Sequence, residues 1–152
     1  MMHPEERLAE LGLAIPEVAK PVAAYVPAVR TGNLVLTSGQ IPVREGTPIA
    51  TGKVGGSVTP EVGVECAQQC TLNALAAIKA EVGDLAAVKR VVKVVVFVAS
   101  TPDFTGQPQV ANGASELLGQ VFGDAGIHAR SAVGVPVLPL DVPVEVEIMV
   151  EV

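Results

Sequence analysis

The C-terminal part of the chain alternates between apolar and polar positions. From Val142 to Val152 every second residue is Val or Ile, and glutamates fill most of the positions between them. A period of two predicts a β-strand that buries one face and carries Glu145 and Glu147 on the other. A second apolar run, from Ala129 to Val137, precedes it and is opened by Arg130. We therefore expect two strands joined by a Pro-rich bend.

Two long stretches upstream have helical spacing instead. Apolar side chains recur every three or four residues from about Pro60 to Val82 and from about Gln107 to Phe122, which predicts two amphipathic helices. Gly83 and Gly123 follow them as C-terminal stops. Between the helices, Val91 to Ser100 is nearly continuous Val, as in a strand covered on both faces. The buried stripe of the first helix is predicted to comprise Val64, Ala67, Thr71, Ala74, Leu75, Ile78 and Val82.

The first third of the chain is more broken. A short helix is predicted from Pro4 to Leu11, with acidic residues in its first turn. Two apolar runs follow, Ala23 to Val29 and Leu34 to Val43, and the residues Arg30 to Asn33 between them resemble a hairpin turn. The segment Arg44 to Thr59 is rich in Gly and Pro, which predicts a loop.

This order of elements predicts an α+β sandwich. A mixed β-sheet of five strands would carry both long helices on one face. The whole chain, residues 1–152, would form a single domain, with residues 1–20 as a short leading helix and extension. Nothing in the chain would cover the sheet face that carries Glu145 and Glu147. An apolar fraction of 49% beside only 17% charged residues also favours burial against another subunit.

Charge narrows the possible partners. The net charge is −6, and a nucleic-acid surface would instead need clustered Lys and Arg. Aromatic residues make up only 3% of the chain, which leaves little for stacking on bases. The N-terminus is acidic, and the most apolar run, Val91 to Val98, is far shorter than the ~20 residues needed to span a bilayer. A cytoplasmic location without nucleic-acid or membrane partners is therefore expected.

Two polar groups are candidates for chemistry. The last two strands are expected to be neighbours, so that Arg130 and Glu145 can meet across them. The two side chains would then form either a structural ion pair or a site in which a planar guanidinium grips a small carboxylate substrate beside an acid/base group. Ion pairs are the more common of the two. The second group is the cluster Thr37 to Gln40, at the end of a predicted strand. Its Ser38 and Gly39 either terminate that strand or offer a hydroxyl and backbone N–H groups to a ligand.

The two cysteines and His128 are predicted to have structural roles and not catalytic or metal-binding ones. Cys66 and Cys70 lie one turn apart on the first long helix, near or beyond the edge of its apolar stripe. Without a second pair of ligands they make a poor zinc site, and this spacing also suits a disulfide badly, so no metal site is predicted and reduced thiols are expected. His128 is expected in the loop that enters the Arg130 strand, with a proton shuttle as the alternative.

Several motifs together resemble the reactive intermediate deaminase A family (RidA, also called YjgF), in particular a longer-chain and less characterised branch of it. The resemblance covers about Pro21 to Val152. In order along the chain, its motifs are Tyr25, Gly32-Asn33, Thr37-Ser38-Gly39-Gln40-Ile41-Pro42, Ala129-Arg130-Ser131, Leu138-Pro139 and Val144-Glu145-Val146-Glu147.

The resemblance implies a chorismate-mutase-like fold and a homotrimer with sites between subunits. It implies the activity of a 2-iminobutanoate/2-iminopropanoate deaminase-like hydrolase, which converts reactive 2-imino or enamine acids to 2-oxo acids and ammonia without a cofactor or metal. Arg130 would hold the substrate carboxylate and Glu145 would position the water. Ser38 and Gly39 would line the pocket, and Tyr25 would close it as a third catalytic residue.

One departure from the family pattern leaves a question open. Many members carry a cysteine two positions after the arginine, where this chain has Ala132; imine hydrolysis does not require that thiol. Val133, Gly134 and Val135 would also shape the pocket differently from bulkier residues. Two alternatives remain: a non-catalytic trimeric protein that binds a small carboxylate metabolite, and a ribonuclease, a name that some members carry and that the net charge disfavours.

Overall fold

The computed structural model describes residues 2–19 and 24–152. Its helices are α1 (Pro4–Glu10), α2 (Pro60–Val82) and α3 (Gln107–Phe122), with 3₁₀ turns at Leu85–Ala87, Gly123–Gly126 and Pro139–Asp141. Its strands are β1 (Ala28–Thr31), β2 (Leu34–Thr37), β3 (Val43–Arg44), β4 (Thr47–Pro48), β5 (Arg90–Ala99), β6 (Ala129–Val135) and β7 (Val144–Glu151).

Five strands form one mixed sheet in the order β1-β2-β7-β5-β6. Only β5 and β6 run parallel; the other neighbours are antiparallel. The long helices α2 and α3 pack on each other and on one face of this sheet. The predicted α+β sandwich is therefore confirmed, and the ends of α2 and α3 agree with the sequence prediction within one residue.

The core lies between the helices and the inner face of the sheet. On β7, buried residues alternate with half-buried ones along the whole strand, which confirms the period of two in the sequence. On β5, Val94, Val96 and Val98 face the helices and are fully buried. The opposite face of the sheet carries Glu145, Glu147 and exposed apolar side chains such as Leu36 and Val133.

The first two predicted strands are shorter than expected. The first apolar run spans 23–29, whereas β1 is Ala28–Thr31, and residue 23 lies outside the described residues. The turn therefore contains only Gly32 and Asn33, and Gly32 has a φ of 58°, as a tight two-residue hairpin requires. The second run, 34–43, stops as a strand at Thr37.

The predicted loop at 44–59 contains a small hairpin. Strands β3 and β4 pair with each other and are joined by Glu45 and Gly46, whose φ values of 52° and 82° are those of a tight hairpin turn. Asn73 of α2 anchors the approach to this hairpin, because its Nδ2 donates to the carbonyls of Ile41 and Val43 at 2.9 and 3.0 Å.

The expectation that the last two strands are neighbours is wrong. Strand β5 lies between β6 and β7. The connection at 136–143 passes around the C-terminal end of β5, where Ser100 N–H donates to the carbonyl of Val135 and Ala99 N–H donates to that of Pro143. The bend therefore delivers β7 to the far side of β5, and the two strands cannot pair.

The two cysteines belong to the core, not to the edge of the helical stripe. Cys66 and Cys70 are fully buried and free, whereas Val64 and Val82 of the predicted stripe are only half-buried. Helix α2 is covered by α3 on one side and by the sheet on another, so its buried surface is wider than a single stripe. Burial raises the pKa of Cys66 to about 11 and raises that of Cys70 well above its usual value.

No helix within residues 2–19 and 24–152 combines the length and the apolar character that crossing a bilayer requires.

Candidate functional site

A β-bulge interrupts the pairing of β2 with β7. At Thr37 a side-chain oxygen takes the place of a backbone carbonyl as the acceptor: Oγ1 of Thr37 accepts a hydrogen bond from Ile148 N–H at 3.0 Å. Pairing resumes where Gln40 and Val146 exchange two backbone hydrogen bonds of 2.8 and 3.0 Å. Ser38-Gly39 lies between these points and contains the one extra residue that defines a bulge. Bulges of this kind redirect side chains at the edges of sites.

The bulge brings Gly39 against the carboxylate of Glu145. A Cβ at Gly39 would overlap with Oε1 of Glu145 and lie 2.8 Å from its Cδ, so any larger residue would displace the carboxylate from this position. Glu145 is half-buried, and among the described residues it has no ion-pair or hydrogen-bond partner. Burial, and next the negative charge of Glu147, raise its pKa above the usual value. This carboxylate is accessible to solvent and is not engaged in holding the fold.

Ser38 fixes the segment that precedes β1. Its hydroxyl donates to the carbonyl of Val26, and its N–H donates to the carbonyl of Pro27 at 2.8 Å. Tyr25, next to Val26, is half exposed and lines the same cleft as Gly39. The structure adds a role for Ser38 that neither interpretation from the sequence included: its hydroxyl proton is donated within the chain and anchors the segment before β1.

Tyr25, Gly39 and Gln40 line one end of a cleft of about 1100 Å³. Residues of the extension after α1 and the turn at Glu45-Gly46 form its other walls. The chain therefore has a cleft with room for a small molecule beside Gly39.

Two buried amides at the floor of this cleft were not anticipated from the sequence. Gln69 Nε2 donates to Asn73 Oδ1 at 3.1 Å, and Gln69 Oε1 accepts from Arg44 Nε at 3.1 Å. The sequence contains a signal for them: two amides spaced i and i+4 on a helix lie on one face, and they need hydrogen-bond partners when that face is buried.

Arg130 lies away from this cleft. It stands on the edge strand β6 level with Val94 of β5, on the face that α3 covers. Its Nη1 donates to Asn112 Oδ1 at 2.8 Å and to Ser115 Oγ at 3.2 Å. Glu145 lies on the opposite face, three residues and two strands away, which places the two Cα atoms roughly 14 Å apart. Within one chain the structure brings Gly39 and its neighbour Ser38 to Glu145 and places Tyr25 on the same cleft as Gly39, but Arg130 lies elsewhere.

This separation decides one of the sequence predictions. An ion pair between Arg130 and Glu145 within one chain is excluded, because they lie on opposite faces of the sheet.

His128 directly precedes β6, which confirms its predicted place in the entry loop. Ala132, at the position of the common family cysteine, packs against the main core. In the part of the chain that the structure describes, no three His, Cys, Asp or Glu side chains are grouped as a metal site.

The fold and the bulge site define a class: an α+β sandwich with two helices on a mixed sheet and a half-buried carboxylate on its open side. Comparisons with known proteins place the chain within this class. Residues 5–152 match the family model described as "YjgF/chorismate mutase-like, putative endoribonuclease". The chain belongs to this YjgF family.

Three relatives illustrate the family. "Protein TCP17" from Trypanosoma cruzi is 46% identical over 145 residues, covering 95% of this chain and 91% of its own length. The 2-iminobutanoate/2-iminopropanoate deaminase of Escherichia coli K12 is 35% identical over 129 residues, covering 83% and 85%. The crystal structure of a "putative endoribonuclease" from Shewanella oneidensis superposes with a TM-score of 0.96 at 33% identity, covering 99% of this chain and all of that one.

Proposed function

We propose that this protein hydrolyses 2-imino acids and their enamine tautomers to 2-oxo acids and ammonia. The observation that carries the proposal is the half-buried, solvent-accessible Glu145 carboxylate, held against Gly39 with a raised pKa. A raised pKa makes a carboxylate a better proton acceptor for water near neutral pH. Relatives named as imine deaminases, 35% identical over 83% of this chain, support the same reaction.

Glu145 acts as the general base in this proposal. It takes a proton from a water molecule as the water oxygen forms a bond to the C=N carbon. As this bond forms, the π electrons of the C=N bond move to nitrogen, and Glu145 then gives its proton to that nitrogen. The C–N bond breaks with its electron pair leaving on nitrogen while the hydroxyl group returns its proton to Glu145, so that ammonia and the C=O group are the products. An iminium carbon is already electrophilic, so the reaction needs chiefly orientation and a placed water. Gly39 leaves space beside the base, and Tyr25 closes the exposed side.

Arg130 holds the substrate carboxylate through a bidentate pair of N–H donors. Since Arg130 and Glu145 are on opposite faces of one sheet, a working site takes Arg130 from one copy of the chain and Glu145 from another. We propose the homotrimer as the assembly that does this, with its sites between subunits. The exposed apolar side chains Leu36 and Val133, on the same face as Glu145, support an assembly through that face.

Single substitutions test the two roles. Arg130→Lys keeps the charge but loses the planar fork, and we expect kcat/KM to fall at least ~100-fold through misplacement of the substrate. Glu145→Gln removes the basic oxygen, and we expect a loss of about 10²- to 10⁴-fold in imine hydrolysis while a 2-oxo acid still binds. Ammonia release is measured with imines generated in place by an amino-acid oxidase or dehydratase.

A mixing experiment tests whether the site is shared. Each variant alone is expected to be inactive, but an equal mixture that is unfolded and reassembled together should regain activity at about one quarter of the sites, because those sites combine an intact Arg130 with an intact Glu145. The double variant mixed with itself is the control and should stay inactive. No recovery in the mixture would show that the site is not built from two copies.

Two further outcomes would replace the proposal. If the parent protein releases no ammonia from any imine tested but binds 2-oxo acids through Arg130, it is a carboxylate-binding protein. If it binds RNA with the steep salt dependence of phosphate contacts, the ribonuclease description of the family model applies.

A further inference from the structure

A chain of hydrogen bonds runs from the entry of β6 to Arg130. His128 Nδ1 lies 2.6 Å from the carbonyl oxygen of Gly126, and its Nε2 lies 2.9 Å from Ser115 Oγ. The same Ser115 Oγ is 3.2 Å from Arg130 Nη1. Neither His128 nor Ser115 has a role in the function proposed above, and both lie on the helix side of the sheet.

The partners at the two ends of this chain fix which of its end groups donate. A carbonyl oxygen can only accept, so His128 carries its proton on Nδ1 and donates it to Gly126. The Nε2 of the neutral ring is then an acceptor for the Ser115 hydroxyl proton. The hydroxyl directs its oxygen lone pairs elsewhere, and one of them accepts from Arg130. Ser115 therefore accepts from the arginine, while its hydroxyl group is also held by the ring of His128.

This arrangement uses one side of the guanidinium and leaves the other side open. Nη1 has two N–H groups, and these donate to Asn112 Oδ1 and Ser115 Oγ. Among the described residues, Nε and Nη2 of Arg130 have no acceptor, and neither nitrogen is one of the buried unpaired atoms. The open Nε and Nη2 edge is therefore accessible to solvent, and its geometry allows the two N–H groups to donate side by side to the two oxygens of a carboxylate.

We propose that Ser115 and His128 are positioning residues that hold Nη1 of Arg130, so that its Nε and Nη2 edge receives the substrate carboxylate. The inference rests on the proposed role of Arg130. Ser115 and His128 touch no substrate atom; they act by limiting the rotation of the guanidinium, which lowers the cost of ordering it on binding. Their effect belongs to carboxylate binding and not to the attack of water, which takes place at Glu145.

Binding of 2-oxobutanoate, followed by NMR titration of the full-length protein, tests this inference apart from catalysis. Ser115→Ala removes the acceptor and His128→Ala releases the hydroxyl; each should weaken binding by about two- to tenfold, as the loss of one hydrogen bond does. Ser115→Thr keeps the hydroxyl and should bind within twofold of the parent. In turnover assays the two alanine variants should raise KM by the same factor and leave kcat nearly unchanged.

The outcomes separate the inference from the proposed function. If Arg130→Lys abolishes binding while Ser115→Ala and His128→Ala bind like the parent, the positioning role is overturned and the function of Arg130 stands. If Ser115→Thr is as weak as Ser115→Ala, packing and not the hydroxyl is responsible, and the inference is also overturned. If Arg130→Lys binds 2-oxobutanoate as the parent does, the proposed role of Arg130 fails, and the positioning role fails with it.

Discussion

Replacement of Gly39 by alanine tests the site with a single methyl group. Gly39 is not among the residues with positive φ, so alanine fits its backbone conformation. The added Cβ would nevertheless lie 2.8 Å from Cδ of Glu145, where ordinary van der Waals contact begins at 3.4 Å. The carboxylate must therefore withdraw by more than about half an ångström, a shift comparable to those that impair catalytic geometry.

The expected loss of activity follows from the displacement of the general base, Glu145. A general base that is misplaced by about 1 Å loses roughly 100-fold in rate, so we expect kcat/KM for imine hydrolysis to fall by about 10- to 100-fold. Stability should change by about 1 kcal/mol or less, below the usual cost of overpacking a core, because the Glu145 side chain is half-buried and can move toward solvent. Ammonia release and thermal unfolding measure the two effects separately.

Gly119→Ala is the matched control. Gly119 lies in α3, where an added Cβ would have nothing within 4 Å and the backbone has no positive φ, so the same substitution should leave turnover intact and favour the helix by up to about 1 kcal/mol. Equal turnover of Gly39→Ala and Gly119→Ala would refute the argument, because the carboxylate beside Gly39 would then have no role in the reaction.

Four other expectations follow from the same structure. Glu147→Gln removes the second cause of the raised Glu145 pKa, so the acidic limb of the pH profile of kcat/KM should move to lower pH; an unchanged limb would assign it to another group. Because that pKa is raised on folding, the native state holds a proton longer than the unfolded state and loses stability as pH rises, and Glu145→Gln should unfold at a higher temperature than the parent near neutral pH. Replacing Cys66 and Cys70 with alanine, or adding a chelator, should leave turnover within a few-fold; a collapse in either test would reveal a site that involves thiols or metal. Leu36→Glu, on the open sheet face, should convert the proposed trimer to monomers in sedimentation equilibrium without unfolding the chain, and a trimer that persists would move the interface elsewhere.

Local patterns were enough to predict most of the fold. The spacing of apolar residues predicts α2, α3 and β5 nearly to the residue, because each buries a continuous surface and ends at a glycine or at a polar loop. The alternation in β7 is equally clear, since one face packs on the helices. Such signals depend only on neighbouring residues in the sequence.

Strand order could not be obtained in this way. Nothing in the composition of β6 and β7 reveals that the connection at 136–143 carries the chain past the end of β5. The motifs identify the candidate residues, but pairing decides which face each of them occupies. The separation of Arg130 from Glu145 is therefore a property of topology, and it was inaccessible to reasoning from residue spacing.

The buried amides were missed for a different reason. Gln69 and Asn73 are polar, and a helical stripe drawn through apolar residues leaves them out. Their partners are the backbone and side chain of the segment from Ile41 to Arg44, which is about 30 residues away in the sequence. A buried polar residue can be anticipated only when its partner is known.

The bulge at Ser38-Gly39 affects which sequence changes this protein can tolerate. Residues at the end of a short strand ordinarily accept insertions and deletions with little harm. Here one extra residue sets the direction of the side chains that follow it directly: it turns Gln40 inward to pair with Val146 and leaves Gly39 against Glu145. Deleting a single residue would exchange these two faces. The length of this segment is therefore under tighter constraint than the identity of most of its residues, and in an alignment of descendants a gap here would mark the loss of the site.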